Sequence, residues 1–331
     1  MLKYLFSILT LPYWLILRSR HFLYDSSVLK SETPSDVISI VLGNLNLGGT
    51  GKTPTCIFIA NFLKQHYNVA VLSRGYGRQS KGFFEVFTDS DVNKIGDEPL
   101  EIKLNTDVKV FVCEDRLDGI RKLKSQNPEI QIVLLDDAYQ HRKLKADINI
   151  LLSLYQRPFY QDFLFPIGNL RDIRSAALRS DYLFISKAKE IISEKDIVEF
   201  QHHLPNQFGE DLFFTFIDYK NIVLVTGIAK TKQLTNYLVS KGNTIKHLSF
   251  PDHYNFKAKD IKKIKHNIDS FAEQECHVLC TVKDYQKLKK ACESTSENID
   301  IYTLPITMKF ANDKEYIFQD HLLSKIKELN K

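Results

Sequence analysis

Short runs of Val, Ile and Leu, each bounded by turn residues, recur along the first part of the chain, at residues 37–42, 69–73, 108–113, 132–135, 148–152 and 182–185. Helical patterns lie between them, for example over 54–66 and 115–125. Apolar strands without polar alternation, separated by helices, predict a parallel sheet covered on both faces. A polar stretch, 187–211, follows. A second alternation then begins, with strands expected at 222–225, 244–249 and 277–280 and helices at 234–241, 257–273 and 316–329. The pattern predicts two α/β lobes joined near 212–220. In such folds the active site lies beyond the carboxyl ends of the strands.

The start of the chain departs from this rhythm. Its apolar run, residues 4–17, is about 14 residues long, against roughly 20 for a bilayer span, and Pro12 interrupts it. No small-residue cleavage site follows, so it does not read as a signal peptide. Tyr4, Phe6, Tyr13 and Trp14, flanked by Lys3, Arg18 and Arg20, suit an in-plane membrane anchor. The alternative is a helix packed on the protein's own core. The expected organisation is an anchor region at 1–30, a larger parallel α/β domain with helices on both sheet faces at 31–215, and a smaller Rossmann-like α/β domain at 216–331.

Composition adds bounds. Of 331 residues, 44% are hydrophobic and 26% charged, as in a globular protein, and the net charge of +5 fits an anionic substrate or a membrane surface. No nucleic-acid motif is present. The five cysteines, Cys56, Cys113, Cys276, Cys280 and Cys292, form no disulfide framework and fit a reducing compartment. Cys276, His277 and Cys280 are close, but a zinc site needs a second half that the sequence lacks, and HVLCTV reads as a strand.

The strongest chemical signal is NLNLGGTGKTP, placed between the strand VISIVL and a helix. That strand–loop–helix context is what a phosphate-binding P-loop requires. Asn46, Leu47, Gly48, Gly49, Thr50, Gly51, Lys52 and Thr53 are the expected ATP-binding residues. The glycines let backbone N–H groups turn onto phosphate oxygens, and the helix brings its positive end to the same anion. Lys52 is expected on the β- and γ-phosphates and Thr53 on Mg²⁺. The strict motif has glycine at position 46; Asn46 stands there, a residue that tolerates left-handed backbone. Downstream, IVLLDDAYQH ends an apolar strand on Asp136 and Asp137, a Walker B pattern that places carboxylate near the metal.

Taken with LSRGYGR (72–78), GDEPL (96–100), LDDAYQHR (135–142), FPIGNLRD (165–172), FPDHYNF (250–256) and TVKDYQKL (281–288), this P-loop resembles the lipid A 4′-kinase family along nearly the whole chain. Each motif alone is weak; their succession in this order is specific. The departures are Ala138–Tyr139 for Gly–Phe, Asn169 for Pro and Asp172 for Glu, and none removes a group that does chemistry.

The resemblance implies transfer of the γ-phosphate of ATP to the 4′-hydroxyl of an acylated glucosamine disaccharide 1-phosphate. It also implies Mg²⁺ and action at the cytoplasmic face of the inner membrane; the chain is expected to act as a monomer. It implies that Asp97 accepts the hydroxyl proton and that His253, from the other lobe, supports it; the role of Glu98 is left open between metal and base. Arg74, Arg116 and Arg171 are candidates for lipid or phosphate contact, and Gln140, His141 and Asn169 for the sugar. Three rivals share the P-loop. A GTPase would need N-K-x-D, whereas Lys283 and Asp284 are adjacent; a partitioning-type ATP switch would need no lipid acceptor; a dethiobiotin-synthase-like enzyme would have no use for the anchor.

Overall fold

In the computed structural model the described residues are 2–188, 193–203, 212–218, 224–228, 231–232, 234–236, 245–269, 278–295, 299, 301–304, 307–311 and 314–329. The elements are, in chain order, α1 (Leu2–Asp25), β1 (Ile38–Asn44), α2 (Lys52–Leu63), β2 (Val69–Ser73), β3 (Phe84–Val86), α3 (Val92–Ile95), α4 (Asp97–Leu104), β4 (Lys109–Val112), α5 (Arg116–Gln126), β5 (Ile132–Leu135), β6 (Ile148–Leu154), β7 (Tyr182–Ser186), α6 (Glu194–His203), β8 (Leu212–Asp218), β9 (Leu224–Thr226), β10 (His247–Ser249), α7 (Ala258–Asp269), β11 (Val278–Thr281), α8 (Val282–Glu293), β12 (Ile301–Leu304), β13 (Thr307–Phe310) and α9 (Glu315–Leu329).

The strands form a nine-stranded sheet, ordered β13-β8-β7-β6-β1-β5-β2-β4-β3, and a four-stranded sheet, β10-β9-β11-β12. The small sheet is parallel throughout, and the large one is antiparallel only at its edges, where β3 meets β4 and β13 meets β8. Side chains of β1 alternate between two cores. Ile38, Ile40 and Leu42 pack with α2, α4 and α9 on one face, and Val41 packs with α1 and α5 on the other. A strand buried on both faces reads as one apolar run, which is why the parallel sheet was legible.

Three expectations need adjusting. Pro12 does not break the first helix, which runs unbroken from Leu2 to Asp25. Its second half is fastened to the large lobe. Tyr13 donates to Arg171 O at 2.8 Å, Leu17 joins the core, Arg20 donates to Gln140 O at 2.6 Å, and His21 Nε2 meets Asp172 Oδ1 at 2.6 Å. These tertiary contacts compensate for the one hydrogen bond a proline forfeits. Leu11, Trp14, Leu15, Ile16 and Phe22 are left exposed. No helix among the described residues is long and apolar enough to cross a membrane.

Second, the polar stretch contains α6, an amphipathic helix whose Phe200 enters the core. Third, a cut at 215/216 passes through β8, and the chain returns from the small sheet to the large one. There β13 pairs with β8, and Phe318, Leu322 and Ile326 of α9 share a core with Phe184 and Phe213. Aromatic surface on β7 and β8 draws these segments back, and sequence periodicity carries no information about which sheet a strand joins. Most of the expected helix at 234–241, as well as Cys276 and His277, lies outside the described residues.

Candidate active site

The loop after β1 opens where β1 stands between β5 and β6, at the centre of the large sheet. Gly48 (φ 90°) and Gly51 (φ 85°) supply its left-handed turns, and Gly51 caps α2. Asn46 does not take a left-handed conformation. It is buried, bridges backbone-to-backbone with Leu170, and donates its amide to Asp162 Oδ2 at 3.1 Å. The loop therefore does not need the tolerance expected of Asn46, which works as a brace. Asn44, at the end of β1, donates to Thr50 Oγ1 at 2.7 Å and accepts from Arg171 Nη2 at 2.6 Å. The FPIGNLRD segment runs along the outside of the loop: Leu47 N donates to Asn169 O at 2.6 Å, and Arg171 N to Leu45 O at 2.8 Å.

Leu47 through Thr53 line a cavity of about 580 Å³ that continues past Glu98 to Asp252, His253 and Lys283 of the small lobe. The Walker B strand delivers Asp137 to the same cavity. Its φ of 48° turns the chain sharply, and Gly43 makes room, since a Cβ there would lie 2.4 Å from Tyr139 Cβ. Lys52 Nζ is 3.6 Å from Asp137 Oδ1, and Arg171 pairs with both carboxylate oxygens. Burial alone would raise the Asp137 pKa, but Lys52 and Arg171 outweigh it and bring it down to about 2. Asp136 is the opposite case. Burial, with Glu98 and Asp137 nearby, pushes it up, and its Oδ1 has no partner.

A second cavity of about 370 Å³ adjoins the first, and the two share Tyr76, Glu98, Asp137 and Arg171. Its wall is basic: Arg20, Arg74, Arg116, His141 and Arg171, with Gln140 beside them. Arg74 is exposed, whereas Arg116 is 2% exposed and donates to the carbonyls of Cys113, Glu114 and Asp136. Burial pushes the Arg116 pKa down to about 10, so it stays charged at neutral pH. Five of the six residues expected at the acceptor border this cavity. Asn169 does not: its carbonyl holds Leu47 N and its N–H bonds Asp162 Oδ1 at 3.2 Å.

Asp97 and His253 meet. His253 Nδ1 is 3.0 Å from Asp97 Oδ2, across a sequence separation of 156 residues. Two glycines in contact permit this. A Cβ on Gly96 would lie 3.2 Å from Gly75 Cα, so the SRGYG and GDEP turns pack backbone to backbone. That places the Tyr76 ring 5.2 Å from the His253 ring. His253, itself left-handed at φ 59°, borders the nucleotide cavity, and Asp97 is buried beside it. Burial raises the Asp97 pKa, but hydrogen bonds from His253 and Lys287 more than offset this and hold it below its ordinary value.

Several residues here had no assigned role in the sequence reading. Lys283 Nζ lies 3.2 Å from Asp252 Oδ1, 3.3 Å from His253 Nε2 and 3.7 Å from a Glu98 oxygen. Lys287, Glu101 and Asn44 were likewise unassigned, and Arg20, expected to flank a membrane anchor, borders the basic cavity instead. Lys187 (φ 55°), at the end of β7, puts its Nζ 4.0 Å from where a Cβ on Gly49 would stand. The TVKDYQKL motif held a signal for two of them: its lysines at i and i+4 share one helix face.

A family description for tetraacyldisaccharide-1-P 4′-kinase matches residues 2–327. A tetraacyldisaccharide 4′-kinase of Flavobacterium johnsoniae is 37% identical over 335 aligned residues, covering 96% of this chain and 95% of its own. One from Cytophaga hutchinsonii is 33% identical, covering 98% and 97%. A crystal structure of Aquifex aeolicus LpxK in complex with ATP superposes with a TM-score of 0.73 at 26% identity, over 98% of this chain and all of that one. The chain belongs to the tetraacyldisaccharide-1-P 4′-kinase family.

Proposed function

We propose that the protein transfers the γ-phosphoryl group of ATP to the 4′-hydroxyl of a tetraacylated glucosamine disaccharide 1-phosphate, giving lipid IVA in lipid A synthesis. The observation that carries this reading is the junction of two cavities, one floored by the P-loop and one walled by arginines, at Asp137, Arg171, Glu98 and Tyr76. A phosphoryl group leaving the first enters the second.

In this reading the loop N–H groups and Lys52 hold the nucleotide's phosphates. Arg74, exposed in the basic wall, offers its fork to the anionic acceptor, where arginine forks suit phosphate oxygens, while Arg171, paired with Asp137 and Asn44, adds charge beside it. Arg116 contributes charge from behind them, because its N–H groups are already engaged with carbonyls. Gln140 and His141, which border the same cavity, meet the sugar hydroxyls in this reading. The acceptor's proton passes to Asp97, with His253 holding the carboxylate. Thr53, Asp137 and Asp136 would hold Mg²⁺. The anion of Asp137 facing the Thr53 cavity and the unpartnered buried Oδ1 of Asp136 fit a cation there. When bound, Mg²⁺ neutralises charge on the β- and γ-phosphates.

The exposed stripe of Leu11, Trp14, Leu15, Ile16 and Phe22 on α1 suits contact with the cytoplasmic face of the inner membrane, with the opposite helix face docked on the catalytic lobe. The test is transfer of labelled γ-phosphate to tetraacyldisaccharide 1-phosphate in detergent micelles, with Lys52→Ala as control. Labelled lipid that depends on Lys52 is expected; its absence from the unsubstituted protein would defeat the assignment.

A further inference from the structure

Helix α8 (Val282–Glu293) points a lysine at the proposed base from the opposite lobe. Its start is fixed to the small sheet: Thr281 Oγ1 accepts from Asp284 N, and Asp284 Oδ2 accepts from Gly227 N at 2.8 Å. From that anchored first turn, Lys283 and Lys287 project on one face toward α4. Lys287 Nζ lies 2.5 Å from Asp97 Oδ2, with the two side chains 6% and 8% exposed. An ammonium and a carboxylate buried this far are each costly alone, so each constrains where the other sits.

The same Asp97 oxygen faces His253 Nδ1. If Nδ1–H donates to the carboxylate, Nε2 keeps its lone pair, and Lys283 Nζ, 3.3 Å away, is placed to donate to it. Lys287 itself lines neither the nucleotide cavity nor the basic cavity. It touches the chemistry only through Asp97. Both donors to Asp97 come from the small lobe, while Asp97 begins α4 of the large one.

We propose that Lys287 is a positioning residue of the proton-accepting pair: it holds Asp97 Oδ2 from across the cleft, so that the carboxylate is oriented toward His253 only when the two lobes are together. This rests on the reading of Asp97 and His253 as that pair.

The test is steady-state transfer to tetraacyldisaccharide 1-phosphate by the full chain. Lys287→Met, which keeps the stem and removes the charge, is expected to lower kcat by about 10- to 100-fold while the KM for ATP moves less than about 2-fold. Lys287→Arg is expected to recover most of the loss. Adding Lys287→Met to Asp97→Asn should cost less than about 2-fold further, because the partner it positions is already neutral. Should Lys287→Met fail to fold, Lys287→Gln, which keeps a hydrogen-bond donor but removes the charge, takes its place in both backgrounds. A kcat within about 2-fold of the unsubstituted protein, or the same fold-loss in both backgrounds, would overturn the proposal. Near-normal turnover by Asp97→Ala would instead remove the pair itself from the mechanism, whatever Lys287 does.

Discussion

The two halves of this active site are built in different ways. The phosphate cradle comes from one continuous segment: β1, the loop to Gly51 and the first turn of α2. The proposed proton-accepting side comes from three separated places: Asp97 at the start of α4, His253 after β10, and Lys283 and Lys287 on α8. A cradle of the first kind needs only local backbone geometry. A cluster of the second kind exists only while two sheets stay in register with each other. The geometry of the first side is therefore set within one lobe, whereas the second side is assembled only where the two lobes meet.

That contrast can be attacked by substitution. The largest expected effect is at the cross-lobe cluster. Asp97→Ala should lower kcat by about 10²–10⁴-fold, the worth of a general base, while ATP binding measured by calorimetry is retained. Loss of nucleotide affinity as well would erase the distinction between the two sides. Lys52→Ala should lower kcat by about 10²–10³-fold, as for removal of one preorganised donor to developing charge, and should also weaken ATP binding.

A smaller effect sharpens the account of the cradle. Asn46→Gly restores the strict motif, yet the backbone at 46 is not left-handed and the side chain bonds Asp162. The substitution should reduce stability by about 1 kcal/mol in chemical denaturation and leave ATP affinity unimproved. Tighter ATP binding would show that the loop does need glycine there.

The smallest effect concerns Glu101, buried between the nucleotide cavity and α8, where burial raises its pKa to about 8. A carboxyl group with a raised folded pKa binds protons more tightly folded than unfolded. Its contribution to stability is fully present below about 4.5, the unfolded value, and is lost as pH rises toward 8. Glu101→Gln should flatten that decline and raise Tm by about 2–4 °C at pH 8, with little change at pH 4. A Tm gain equal at both pH values would mean that folding does not raise the Glu101 pKa.

Legibility in the sequence follows the same division. The strand at 69–73 and the strand at 132–135 appear with the expected bounds, because a doubly buried strand leaves an unbroken apolar run. The P-loop was legible because its glycines, lysine and following helix are contiguous. Asp97 and His253 were named through resemblance; taken singly, an aspartate after glycine and a histidine in a loop say nothing. Lys287 was not named at all, since a lysine on a helix face is ordinarily solvent-facing. Asn169 was assigned to the sugar, while in the fold its backbone braces the loop.

By itself the sequence determined what short-range physics can fix: which runs become buried strands, where an anion can be cradled, and which helix carries its positive end to that anion. The tertiary structure decided the rest. It brought β13 and α9 back to the large sheet, fastened a helix containing proline to the catalytic lobe, and closed Lys287 onto Asp97 across 190 residues of chain. The reason is that burial of a charge, or of an aromatic face, is settled by what arrives opposite it, and periodicity along one segment carries no record of its eventual neighbour.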